Sequence, residues 1–234
     1  MASASPATRD LRVRRRELLK EQTRLVLALA AFDLAKQHGL VNVRIPQIAA
    51  AVGVSPRTFN NYFASKEAAI VWPITLRAAG LADSLAARPA EEPLADAIVA
   101  AVAGQAGNSE IDGLPSGWLN EFRALVAVEP GLHGEYLKAA EMAESALAGA
   151  IARRAGLPVG QLESLVLAAV AVAAERAAVL HWARTPAPRP SLADAVRVAV
   201  GMAVGCVTGP RSTPAMRERV TSGTPAAAPR RGRG

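Results

Sequence analysis

Residues 45–66 read IPQIAAAVGVSPRTFNNYFASK, and the fold follows from how this stretch divides. Pro46 fits the first turn of a helix, where its fixed φ is already helical and its missing N–H would have no partner in any case. Residues 47–52 continue that helix, and Gly53 sits where a left-handed residue commonly ends one. Ser55 and Pro56 then supply an N-cap and a first helical position for a second helix within three residues. Ile45, Ile48, Ala49 and Val52 recur at helical spacing, as do Phe59 and Phe63. Each helix therefore has one face to bury against the other and against a neighbour.

The opposite side of the second helix carries Arg57, Thr58, Asn60 and Asn61. A guanidinium fork, a hydroxyl with a methyl and two amides are groups that read base edges in a major groove, while basic residues hold phosphates. Two short helices joined by a tight turn, with such a wet face, form the arrangement of a helix-turn-helix recognition element. The same pattern also fits a surface helical hairpin whose polar side simply faces water.

Residues 32–68 resemble the N-terminal domain of the TetR family of transcriptional regulators. Gly39, Ile48-Ala49, Gly53-Val54-Ser55, Thr58-Phe59, Tyr62-Phe63 and Ser65-Lys66-Glu67 fall in the family's order and spacing. The resemblance implies that Pro56, Arg57, Thr58, Asn60 and Tyr62 lie along the DNA groove and that Lys66 clamps a phosphate. Two positions depart from the pattern. Arg44 stands where the family usually has a Thr opening the second helix, and Asn60 where it usually has an aromatic residue touching the backbone. Both leave the fold expectation intact and alter the expected operator. Arg57, Thr58 and Asn61 are the expected base readers, with Arg44, Asn60, Tyr62, Lys66 and the N-terminal arginines on the backbone.

Charge divides along the chain. Residues 1–66 hold eleven Lys or Arg against four Asp or Glu, residues 67–206 ten against fifteen, and residues 207–234 six against one. A basic first quarter joined to a mildly acidic body suits a protein that binds DNA with one end and keeps the other off it. The same charges also fit a merely solvated surface. Half of the residues are hydrophobic and only 4% aromatic, with abundant alanine, which favours closely packed helices over a β-sandwich or barrel. The longest apolar run, residues 165–174, stops at Glu175 and Arg176, short of the roughly 18 residues that span a bilayer. No membrane association is expected, and no signal peptide is read at the polar, basic N-terminus. Cys206 is the only cysteine, which suits a reducing, cytoplasmic setting.

The expected fold is all-α with about nine helices: a three-helix helix-turn-helix domain followed by a larger helical domain for ligand binding and dimerisation. Its divisions are a basic flexible arm at 1–17, the DNA-binding domain at 18–66, the body at 67–206 and a disordered basic tail at 207–234. Helix one is expected over 18–37, with an earlier start also open. Pro73 should kink or shorten helix four, and the Pro-containing segment 87–93 marks the practical boundary. Later helices are expected over 94–106, from Trp118 to the stop at Glu129-Pro130, and over 131–154, 160–184 and 191–206. The last two are apolar or small nearly all round, so they need cover on more than one side. A second copy would supply it through a two-fold four-helix interface, placing two reading heads at once; internal burial is the competing account.

Nothing catalytic stands out. His38, His133 and His181 lack paired-ligand spacing, and there is no HExxH, CxxC or Gly-rich phosphate loop. Neither enzyme activity, metal nor cofactor is expected. A small-molecule pocket is implied instead by resemblance: residues 125–202, with Glu129-Pro130 ahead of helix seven, are similar to actinobacterial TetR-like regulators whose C-terminal domain is called acyl-CoA-like ligand-binding. Bodies of that family enclose an apolar cavity between helices four to eight. Candidate lining residues are Trp118, Phe122, Tyr136 and Trp182, with Glu121, Arg123, Glu175, Arg176 and His181 as polar anchors. The aromatics fit a plain core equally well, and Glu175 with Arg176 could pair across a subunit interface. The expected function is a homodimeric, ligand-responsive regulator, more often a repressor, whose partners are an operator duplex and an unidentified small-molecule effector. An architectural DNA binder without an effector is the alternative.

Overall fold

A computed structural model describes residues 6–108 and 113–209, and within them the chain is all-α. Nine α-helices appear among the described residues: α1 (Pro6–His38), α2 (Ile45–Ala51), α3 (Pro56–Asn60), α4 (Lys66–Ala86), α5 (Leu94–Gly107), α6 (Trp118–Val128), α7 (His133–Ala155), α8 (Leu162–Arg184) and α9 (Leu192–Thr208). Single 3₁₀ turns precede α2 and α7.

The ends depart from expectation. α1 starts at Pro6, so the segment expected as a flexible arm is helical from there to residue 17. Arg, Glu, Leu and Lys are good helix formers, and ion pairs one turn apart, Glu17 with Lys20 at 2.8 Å and Glu21 with Arg24 at 3.0 Å, favour the same conformation. At the other end α9 runs through Thr208, two residues past the expected limit, with the Thr208 hydroxyl donating to the Val204 carbonyl. The remainder of the expected tail, and residues 1–5 of the expected arm, lie outside the described residues.

Pro73 neither ends nor divides α4, which is assigned as one helix of 21 residues. Pro73 removes one backbone donor from the helix, and one turn on the Thr75 hydroxyl donates to the Trp72 carbonyl at 2.7 Å.

Two hydrophobic cores share α4. The first joins Leu27, Phe32, Ile48, Phe59, Phe63 and Ile70 to Trp118, Phe122 and Val126 of α6. The second joins Leu81 and Leu85 to α5, the C-terminal half of α7, α8 and α9. Each fully buried Phe, Leu or Ile is worth about 1.5–3 kcal/mol against exposure. α6 joins the first core through Trp118 against Phe32 of α1, while the C-terminal half of α4 belongs to the body. Small residues let the body helices approach closely: a Cβ on Gly107 at the end of α5 would stand 3.0 Å from the Ala193 Cβ on α9.

By length and mean hydropathy α8 could cross a membrane, contrary to the expectation that no segment qualifies. It packs instead against α6, α7 and α9, and Glu175 and Arg176 interrupt its apolar sequence, as fits a core helix.

Candidate nucleic-acid interface and effector chamber

The hairpin is built by local chemistry. The Arg44 N–H donates to the Gln47 Oε1 at 2.8 Å, fixing the entry to α2. Gly53 adopts φ +70°, and the Val54 N–H returns to the Ala49 carbonyl at 2.9 Å, so the chain ends α2 and reverses in three residues. Ser55 Oγ accepts from the Thr58 N–H at 3.0 Å and lies 2.9 Å from the Thr58 hydroxyl, capping α3. Phe59 and Phe63 are buried with ring centroids 5.7 Å apart, and Phe63 meets Trp72 of α4 edge-on at 6.1 Å. That aromatic cluster anchors α3 from beneath. Pro56, Arg57, Asn60 and Asn61 are exposed, with Thr58 and Tyr62 half-buried beside them, and Arg44 is exposed at the start of α2. The expected reading residues are thus exposed or half-buried on the hairpin.

Lys66 holds a different position. Its ammonium donates to the Leu40 carbonyl at 2.5 Å and to the Val43 carbonyl at 2.7 Å, with Glu67 at 3.9 Å. It ties the loop between α1 and α2 to the start of α4, a structural role that the sequence pattern did not reveal.

The body candidates separate into groups. Tyr136, Glu175 and Arg176 border one cavity of about 60 Å³ together with Arg77 and Gln105. Tyr136 and Arg176 also border a second cavity of about 270 Å³ with His133, Leu137 and Leu180. Arg123 stands behind the first, 6% exposed. Phe122 and Trp118 are core residues, stacked at 5.1 Å, linking Tyr136 at 6.2 Å to Phe32 of α1 at 5.0 Å. Glu121 pairs with Lys36 at 2.7 Å on the surface between α6 and α1. His181 and Trp182 are not brought to either cavity. The Trp182 indole donates to the Pro190 carbonyl at 2.9 Å under the Arg189 guanidinium, and His181 is exposed beside Thr185. They organise the connection from α8 to α9.

Two arginines bind the C-terminal end of α5, where helix carbonyls lack partners and carry partial negative charge. Arg77 donates to the Asn108 carbonyl at 2.9 Å and to the Gln105 carbonyl, and Gln105 Nε2 returns to the Arg77 carbonyl at 2.6 Å. Arg123 reaches the Ala106 carbonyl at 3.3 Å and the Asn120 side chain at 3.1 Å. Burial lowers both guanidinium pKa values, that of Arg123 to about 10. Glu175 is half-buried at the edge of the cavity, and the burial it has raises its pKa against the lowering influence of Arg123 and Arg77. Burial and the neighbouring Glu175 push the Tyr136 phenol up to about 12, so it is a hydrogen-bond donor at neutral pH. Among the described residues no hydrogen bond or ion pair reaches the side chains of Glu175 or Arg176. Arg77 and Gln105 were missed by the sequence reading. Arg77 was nonetheless marked, as the single charged residue between Glu67 and Asp83.

Among the described residues no group of three or more His, Cys, Asp or Glu could hold a metal ion.

Comparison with known proteins agrees with both halves. Residues 27–69 match the family described as bacterial regulatory proteins, tetR family, and residues 92–204 match the MftR C-terminal domain. The chain is 36% identical over 152 residues to the HTH-type transcriptional regulator TcmR of Streptomyces glaucescens, an alignment covering 64% of this chain and 63% of that protein. A transcriptional regulator from Rhodococcus sp. Rha1 aligns with a TM-score of 0.48 at 22% identity, over 78% of this chain and 96% of the other. With a capped hairpin under the first match and a helical body under the second, the chain belongs to the TetR family of transcriptional regulators.

Proposed function

We propose that the chain is a homodimeric, cytoplasmic regulator that binds an operator duplex through α3 and is released by a small molecule held in the body. The observation that carries this reading is the α2–α3 hairpin, whose anchor residues Phe59 and Phe63 are buried while Arg57, Asn60 and Asn61 stand exposed on one side. Arg57 and Asn61 contact base edges with Thr58 between them; Arg44, Asn60 and Tyr62 lie against the sugar-phosphate backbone. The third donor of Lys66 remains for a phosphate.

Dimerisation supplies the second head. Leu162, Leu165 and Val166 on α8 and Val198 and Met202 on α9 are exposed apolar side chains on the two last helices, the surface expected to pair about a two-fold axis. Effector binding between α4, α7 and α8 is communicated by α4, which belongs to both cores, and by the stack Tyr136, Phe122, Trp118, Phe32. A coupling free energy of about 1–3 kcal/mol works in both directions, so operator DNA weakens effector binding by the same factor.

The test is fluorescence anisotropy with duplex from the promoter region of the chain's own gene against a shuffled duplex, across a salt series. The expected result is at least about a 10³-fold preference at physiological salt, with affinity falling log-linearly as salt rises. Equal affinity for both duplexes contradicts the regulator reading and favours an architectural binder.

A further inference from the structure

Glu175 and Arg176 are consecutive on α8, oppositely charged, and both border the same small cavity without a hydrogen-bond or ion-pair partner among the described residues. Their neighbours are already engaged. Arg77 and Arg123 hold the carbonyls at the end of α5, and Gln105 holds the Arg77 carbonyl. A half-buried carboxyl and a half-buried guanidinium that line a cavity without protein partners have hydrogen-bonding capacity that a ligand can use. The geometry also sets the ligand's outline. The first cavity, of about 60 Å³, has room for only a few water-sized groups, whereas the second, of about 270 Å³, is lined by Leu137 and Leu180 with His133, Tyr136 and Arg176. Tyr136 and Arg176 border both.

We propose that the chamber selects a compact hydroxylated organic acid: an apolar body between Leu137 and Leu180, a carboxylate on Arg176 and the Tyr136 hydroxyl, and a neighbouring hydroxyl that donates to Glu175. This rests on the effector reading above and adds the chemical class to it. A simple fatty acid leaves Glu175 unmet. An amine satisfies Glu175 but sets its charge beside Arg176 and Arg77. A plain alcohol leaves Arg176 without an acceptor.

The experiment is isothermal calorimetry on the full-length dimer with four matched probes: 3-hydroxydecanoate, decanoate, 1,3-decanediol and decylamine. The hydroxy acid is expected to bind about tenfold more tightly than decanoate and than the diol, since each of these lacks one charge-assisted hydrogen bond, and decylamine is expected to bind worst. Glu175→Leu should abolish the preference for the hydroxyl while keeping that for the carboxylate, and Arg176→Leu should do the reverse. Glu175→Gln, which keeps shape and an acceptor, should retain a reduced hydroxyl preference and guards against a folding defect in Glu175→Leu. Equal binding of hydroxy acid and fatty acid, tightest binding of the amine, no binding of any probe, or an unchanged hydroxyl preference in Glu175→Leu each overturns the proposal. Operator release is measured separately by anisotropy. Selective binding without release keeps the chamber chemistry and contradicts the effector reading instead.

Discussion

The ammonium of Lys66 has three donors, and two are engaged by the carbonyls of Leu40 and Val43. Lys66→Ala therefore strips two charge-assisted bonds from a side chain only 18% exposed. It should lower stability by about 1–3 kcal/mol in urea unfolding and weaken binding to every duplex alike. Arg57→Ala is its opposite. That side chain is exposed and makes no contact the fold needs, so stability should stay within about 0.5 kcal/mol. Discrimination at one base pair per half-site should fall by about 1–3 kcal/mol in competitive binding. The contrast shows what a sequence exposes at this scale. Ser55, Gly53 and Phe59 announce themselves because cap, left-handed turn and buried face are properties of local order. The partner of Lys66 lies 23 and 26 residues earlier, and no local pattern carries that information.

At the scale of elements, the junction of α4, α5, α6 and α8 depends on a charge arrangement. Arg123→Met leaves the Ala106 carbonyl and the Asn120 side chain without their donor, and should destabilise by about 1–3 kcal/mol in urea unfolding. The pH dependence follows from Glu175. Its folded pKa lies above the ordinary 4.5 because burial disfavours the charge, so the unfolded chain releases its proton first as pH rises. Stability from this group is present below 4.5 and is lost as pH climbs from there through the folded value. Glu175→Gln should remove that slope, so its stability relative to wild type should improve as pH rises through that window in urea titrations. The helices themselves were legible: apolar spacing and Gly or Pro stops located α2 to α9 within a few residues. α1 was misjudged at its start, because the exposed Arg-rich turns carry helix propensity and ion pairs but no apolar stripe. Pro73 does not shorten α4, whose residues pack into both cores on either side of it, as propensity alone does not foresee.

Over the whole molecule, α6 packs with the DNA-reading helices while α5, α8 and α9 form the body with α4 and α7, so the two cores do not meet at a sequence boundary. Composition had marked the basic first quarter and the apolar last helices, but only the fold places Tyr136, Glu175 and Arg176 around one space and moves His181 and Trp182 away from it. Residues four apart on one helix are neighbours by geometry; residues on four helices become neighbours only through packing. If the exposed faces of α8 and α9 join two copies, Val198→Glu with Met202→Glu should give a folded monomer in sedimentation, with operator affinity reduced by at least about 10²-fold. The central claim, that the short α3 presents its exposed side to a duplex twice per assembly, is tested most directly by selecting bound duplexes from a random pool. The account predicts an enriched inverted repeat with half-sites one or more helical turns apart, and loss of one symmetric base preference with Arg57→Ala. A pool that emerges with no enriched sequence, or with a single unrepeated site, would contradict it.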